Sequence, residues 1–220
     1  KTEVTSSLVE RIANAAGARI VGDLLVGFKY IGEALYALEN QGKYRSFDAE
    51  LDDFAVGVEE SHGVLLTHAV RDKDASGGAI VLAELASKEA EQGRTLVDTL
   101  VDIWSTCGYV HNQLVSVVMR GASGKLAIDS IMDSMRQAPP AQMGGMVVTG
   151  FWDRSDPEGF LGPVRSKTDA ASRNVLVWHL GERGRILLRP SGTEPKCKVY
   201  VELAGSPSAD LASEIPAIAA

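Results

Sequence analysis

Arg189 to Lys196 reads RPSGTEPK, eight residues with no apolar side chain except the two prolines, and it decides how the C-terminal part of the chain is read. Arg185 to Leu188 (RILL) before it and Lys198 to Leu203 (KVYVEL) after it are short alternating or apolar runs of the kind that form strands. The octapeptide is therefore expected at the tip of a hairpin. Its chemistry suits an anion: Arg189 offers a planar guanidinium fork, Ser191 and Thr193 offer hydroxyls, and Gly192 lets backbone N–H groups approach without a Cβ in the way. Lys196 adds a further cation. The residues alone also fit a plain polar turn in which Pro190, Ser191 and Gly192 only reverse the chain.

The surrounding sequence divides into two parts, expected at 1–110 and 111–220. In the first, Ser6 to Ala16 has helical spacing and ends at Gly17, and Arg19 to Val21 reads as a strand. Ile31 to about Asn40 is expected to be a helix, and Phe54 to Val58 a buried strand running into Glu59. Ala79 to Gln92 and Leu96 to Cys107 read as further helices, the first with Ile80, Leu82, Ala83 and Leu85 apolar and the later Lys88, Glu89 and Glu91 solvated. Tyr109 to Gln113 is expected to join the two parts. In the second, strands are expected at Leu114 to Met119, Met146 to Phe151, Val175 to Leu180, Ile186 to Leu188 and Lys198 to Leu203. One helix is expected, over Lys125 to Arg136. Asp153 to Arg173 is read as a long surface loop, and a final helix is expected from Ser208. The resulting fold class is an α/β mixed-sheet domain followed by a smaller α+β domain with an antiparallel sheet.

Bulk properties narrow the partners. The 220 residues are 45% hydrophobic, enough for real cores, with a net charge of −7. That charge argues against nucleic acid, which needs a broad basic surface, but leaves room for a small phosphorylated ligand held by a local cationic cluster. No run of 18 apolar residues is present and Lys1 to Ala15 has no signal-peptide pattern, so no membrane partner is expected. Cys107 and Cys197 are the two cysteines; they suit a reducing, cytoplasmic setting rather than a disulfide framework. The four histidines, His62, His68, His111 and His179, show no ligand spacing, and no metal site is expected.

Three more segments carry polar groups in informative places. Gly57 to Ser61 (GVEES) puts Glu59, Glu60 and Ser61 at the end of an apolar strand, where carboxylates and a hydroxyl suit sugar OH groups; a solvated strand end is the alternative. Val70 to Asp74 (VRDKD) carries Lys73, whose ammonium suits phosphoryl charge or proton transfer, or else belongs to a solvated cluster. Gly27 to Ile31 (GFKYI) sets Lys29 between aromatics, either snorkelling or aimed at an anion.

These four segments, in this order and spacing, resemble the α-D-phosphohexomutases, the family of phosphoglucomutase and phosphomannomutase. RPSGTEPK resembles the family's phosphate-binding loop and GVEES its sugar-recognition loop. The resemblance covers essentially the whole chain as the third and fourth domains of a four-domain enzyme. It implies phosphate contacts from Arg189, Ser191, Gly192, Thr193 and Lys196, sugar contacts from Glu59 and Ser61 with Glu60 and Lys29 as further candidates, and a catalytic assignment for Lys73. The second acid, Glu60, and the Ser61-His62-Gly63 order look more like the phosphoglucomutase and phosphopentomutase branches than the phosphomannomutase branch.

The same resemblance implies an isomerase that moves phosphate between the 1 and 6 positions of a hexose. Its phosphoserine loop and Mg²⁺ loop would lie in an N-terminal half, and hexose 1,6-bisphosphate would be its intermediate. Neither a Ser-His-Asn nor an Asp-Gly-Asp signature occurs in these residues, so this piece by itself is expected to be inactive, with the N-terminal half and a phosphorylated sugar as its partners. A phosphopentomutase, a sugar-bisphosphate synthase and a non-catalytic phosphosugar-binding module are the alternatives.

Overall fold

A computed structural model describes residues 1–60, 62–191 and 194–208. Ser61, Gly192 and Thr193 lie outside the described residues, as does the helix expected beyond Ser208. The described chain divides into two units, one formed by Lys1–Tyr109 together with the described residues from Ser206 onward, and one running over Val110–Gly205.

In the first unit, helix α1 spans Leu8–Ala15 and gives way to Gly17 in the left-handed region (φ 68°). Helix α2, Lys29–Gln41, buries Ile31 and Leu35 one turn apart and ends at left-handed Gly42. These two side chains join Leu24, Phe28 and Leu65 in a core flanked by Val21, Tyr30, Tyr44, Leu51 and Phe54. Hairpin β1–β2 (Lys43–Tyr44 with Phe47–Asp48) follows, then hairpin β3–β4 (Gly57–Glu59 with Gly63–Leu65). Helix α3, Ala75–Glu91, is capped by Asp74, whose carboxylate accepts from the Gly77 N–H. Helix α4, Leu96–Cys107, opens with a reciprocal Thr95–Asp98 capping box and closes at Gly108.

Three expectations for this unit need correction. No strand forms at Arg19 to Val21: the Arg19 guanidinium donates to the Asp48 carbonyl, and pairing moves on to Leu24, which bridges Thr2 in parallel. The strand expected from Phe54 starts only at Gly57, because Leu51–Asp53 forms a 3-10 turn that takes the Phe54 N–H; Val56 is 43% exposed. Ile80 and Leu82 of α3 are not core residues but 68% and 54% exposed. The helix meets β4 on its glycine face instead: a Cβ on Gly78 would come within 2.7 Å of Val64 Cγ1.

The second unit is a five-stranded antiparallel sheet covered by a helix. Its strands are β5 (Val110–Val118), β8 (Gly150–Asp153), β9 (Leu176–His179), β10 (Gly184–Pro190) and β11 (Lys196–Ala204), in spatial order β5-β11-β10-β9-β8. A small hairpin, β6–β7 (Gln142–Met143 with Met146–Val147), turns through Gly144 and Gly145, both at positive φ as a two-residue hairpin requires. Helix α5, Gly121–Gln137, packs Ile128 and Met132 on Leu176, Trp178, Leu188 and Cys197.

The residues from Val110 to Gln113, expected in a join, are the first part of β5. The expected strand Met146 to Phe151 is split by the end of the β6–β7 hairpin. The expected surface loop from Asp153 to Arg173 contains a second helix, α6 (Lys167–Ser172), and ends in a fully buried arginine. Arg173 donates to Asp169 through Nε (2.9 Å) and to the Gly162 carbonyl through an Nη (2.6 Å), so the loop is folded around a buried cation.

Candidate functional site

Glu59 is the last residue of β3, directly across the hairpin from Gly63. Its side chain is 8% exposed, and Oε2 is buried without a hydrogen-bond partner among the described residues. Lys73 reaches this oxygen at 3.6 Å, a charge contact longer than a hydrogen bond. What brings Lys73 there is local: the Asp74 N–H donates to the Val64 carbonyl (2.8 Å), tying the VRDKD segment to β4. The Lys73 ammonium also faces the buried Phe28 ring, 5.8 Å from its centroid.

Gly63 is what permits this packing. A Cβ there would stand 3.0 Å from Glu59 Cβ, 3.0 Å from Lys73 Cε and 3.1 Å from a Phe28 ring carbon. The turn between the strands has His62 at φ 58°, an uncommon conformation for a residue with a side chain, and its N–H donates to the Glu60 carbonyl (2.9 Å). Glu60 is exposed. Lys29, at the start of α2 and next to Phe28, is exposed with its ammonium 4.9 Å from the Tyr30 ring centroid. A buried carboxylate with an unsatisfied oxygen is set up to accept hydrogen bonds from a hydroxylated ligand, since leaving it unpaired is costly.

In the second unit the β10–β11 hairpin carries Arg189 opposite Lys198 and Pro190 opposite Cys197. On the same face of these strands, Arg185 stands opposite Glu202, and the pair is neutralised by a 3.0 Å hydrogen bond between two nearly buried groups. Four residues nearer the tip along each strand, like charges face each other instead. Arg189 Nε is buried and has no hydrogen-bond partner among the described residues. Two cations directly opposite destabilise a strand pair unless an anion compensates them. Lys198 is not among the candidates the motif offers, but the hairpin register, counted outward from the turn, places it across from Arg189.

The rest of the turn closes on itself. The Ser191 N–H donates to the Lys196 carbonyl (2.8 Å), and the Glu194 N–H donates to Ser191 Oγ (3.3 Å). Lys196 forms an ion pair with Glu194, and its hydrogen bond and charge hold the Glu194 carboxyl below the usual carboxylate range. Burial pushes the neighbouring Cys197 thiol up, against a smaller opposing effect of a backbone hydrogen bond with Arg189. Among the described residues, no three His, Cys, Asp or Glu side chains gather in a group able to hold a metal ion.

Residues 1–107 match the family described as phosphoglucomutase/phosphomannomutase, alpha/beta/alpha domain III, and residues 164–218 match its C-terminal domain. The chain belongs to the phosphohexomutase family and carries its C-terminal domains. It is 32% identical over 216 residues to a phosphoglucomutase of Staphylococcus aureus strain N315, covering 98% of this chain and 37% of that protein. It is 34% identical over 183 residues to the phosphoglucomutase of Staphylococcus epidermidis, covering 82% and 32%. The fold is also similar to the crystal structure of the exocytosis-sensitive phosphoprotein pp63/parafusin from Paramecium in its open form, with a TM-score of 0.62 at 15% identity over 98% of this chain and 35% of that one. The chain thus spans roughly a third of the length of the relatives it matches.

Proposed function

We propose that this chain is the sugar- and phosphate-binding part of a phosphoglucomutase-like isomerase that interconverts hexose 1-phosphate and hexose 6-phosphate through a bisphosphate. The observation that carries the reading is Arg189: a guanidinium whose buried Nε has no hydrogen-bond partner among the described residues, opposite Lys198 in the hairpin that holds RPSGTEPK. A dianionic phosphoryl group supplies the compensating charge. Arg189, Lys196 and Lys198 provide the cations, and Ser191, Gly192 and Thr193 the short-range donors. Glu59 accepts from sugar hydroxyls, aided by Ser61 and Glu60, while Lys73 holds the Glu59 carboxylate in place and supplies charge near the transferring group. Lys29 is a peripheral cation in this scheme. Mg²⁺ and the phosphoserine belong to other domains of the complete enzyme, and the residues described here take no part in holding the metal.

The division of labour is tested by calorimetric titration of inorganic phosphate and glucose 1-phosphate. Arg189→Ala weakens binding of both ligands by about 2–5 kcal/mol, whereas Glu59→Gln weakens only glucose 1-phosphate. Equal losses for both ligands in both variants overturn the assignment.

A further inference from the structure

The phosphate loop contains its own anion. Glu194 lies within RPSGTEPK, between donors that the proposed function gives to a phosphoryl group, and its carboxylate is paired with the Lys196 ammonium. Its backbone N–H is bonded to the Ser191 hydroxyl oxygen, and its carbonyl accepts from the Lys196 N–H (2.7 Å), so residues on either side of the turn hold it in place. The pair is accessible: the side chains of Lys196 and Glu194 are 28% and 57% exposed. We propose that Glu194 is an internal counter-ion of the phosphate loop, occupying Lys196 until a phosphoryl group displaces it and thereby weakening the loop's hold on phosphate. This rests on the reading of RPSGTEPK as a phosphate-binding loop.

The chemistry is a competition between two anions for one ammonium. A carboxylate and a phosphoryl oxygen are both acceptors for Lys196, but the phosphoryl group carries more charge and also reaches Arg189 and Lys198, which face each other in the hairpin. An exposed ion pair is weak enough to be exchanged. While the ligand is absent, Glu194 offsets part of the positive charge at the tip. Once the ligand is present, the same carboxylate becomes a nearby like charge. Both effects oppose tight phosphate binding. An enzyme that has to release a phosphorylated product gains nothing from uniformly tight binding of the phosphate, so a built-in competitor is functionally reasonable.

Glu194→Gln keeps the size and the turn but removes the charge. The variant is expected to bind inorganic phosphate about two- to fivefold more tightly than the wild type by calorimetry, the scale of an exposed ion pair. Equal or weaker binding by the variant, including no binding by either protein, overturns the counter-ion role. Arg189→Ala separates this from the underlying reading: if it binds phosphate as well as wild type, the phosphate site itself is wrong, whereas loss in Arg189→Ala with no gain in Glu194→Gln removes only the counter-ion. A measurement on the unaltered protein guards against a folding defect in the variant. The Glu194 side-chain carboxyl ¹³C resonance shifts saturably on phosphate addition if the pair with Lys196 is broken, and a resonance that stays fixed at saturating phosphate contradicts the displacement.

Discussion

Lys73 Nζ stands 3.6 Å from Glu59 Oε2, and the two groups differ sharply in exposure, 43% against 8%. The carboxylate is the buried partner and depends on the ammonium for compensation. The lysine, with its ammonium over the Phe28 ring, keeps access to solvent.

Lys73→Met is therefore expected to destabilise the first unit by about 1–2 kcal/mol, less than for a fully buried pair because the lysine is partly hydrated. Glu59→Gln combined with Lys73→Met is expected to cost less than the two single changes together. A double-mutant cycle from urea denaturation checks this, and strict additivity would show that the two charges are uncoupled.

Gly63→Ala places a methyl group against Glu59, Lys73 and Phe28 at once, at 3.0–3.1 Å. The Lys73 stem can shift, but the Phe28 ring and the β3 backbone under Glu59 are held by the core. The expected cost is about 1–3 kcal/mol in thermal unfolding, typical of overpacking. A neutral effect would mean that the hairpin opens easily.

Asp169→Asn leaves the buried Arg173 guanidinium without its counter-charge and is expected to cost about 2–4 kcal/mol in chemical denaturation. Burial alone would raise the Asp169 carboxyl, but hydrogen bonds from the Arg165 backbone and from Arg173 outweigh it and lower the pKa. With the folded value below the unfolded one, the carboxylate contributes stability above the unfolded pKa and loses it as pH falls through the folded value. Stability is thus expected to hold from neutrality down to about pH 5 and to decline below about pH 4. The Asn variant should have a shallower acid slope, and identical slopes would rule out this linkage.

Cys197 is 5% exposed and its thiol is pushed up by burial, so at neutral pH it is almost entirely protonated and shielded. Cys107 is partly exposed at the end of α4. Under native conditions a thiol reagent should label Cys107 first and Cys197 only as the second unit opens. Equal labelling rates would show that the β10–β11 hairpin opens readily.

Where local chemistry decides the structure, the sequence is legible. Helix α4 ends where Gly108 predicts, and the RPSGTEPK turn lies between two strands because polar turn residues interrupt two apolar runs. The prediction fails where a distant contact decides. Ile80 and Leu82 have helical spacing, but nothing in that spacing shows that Gly78 meets Val64 and turns them outward. Arg173 reads as part of a solvated loop because its partners, Asp169 and the Gly162 carbonyl, become a cage only once the loop is folded. Among the candidate residues of each unit, Glu59 and Arg189 are visible as residue types, whereas their buried atoms without a partner among the described residues and the Arg189–Lys198 opposition appear only with the folded structure.

The pairing of β5 with β11 imposes an order on biosynthesis. Val110 lies beside Ala204 and Val118 beside Lys196, so the strand that opens the second unit is hydrogen-bonded to the one that closes it. On the ribosome β5 emerges first and waits on the order of 10 s for its partner. During that interval nine residues with no charged side chain, VHNQLVSVV, are available to any other extended segment nearby. Nascent chains on crowded polysomes are therefore the setting in which this unit is most exposed to mispairing, and chaperone demand should peak before β11 has left the exit tunnel.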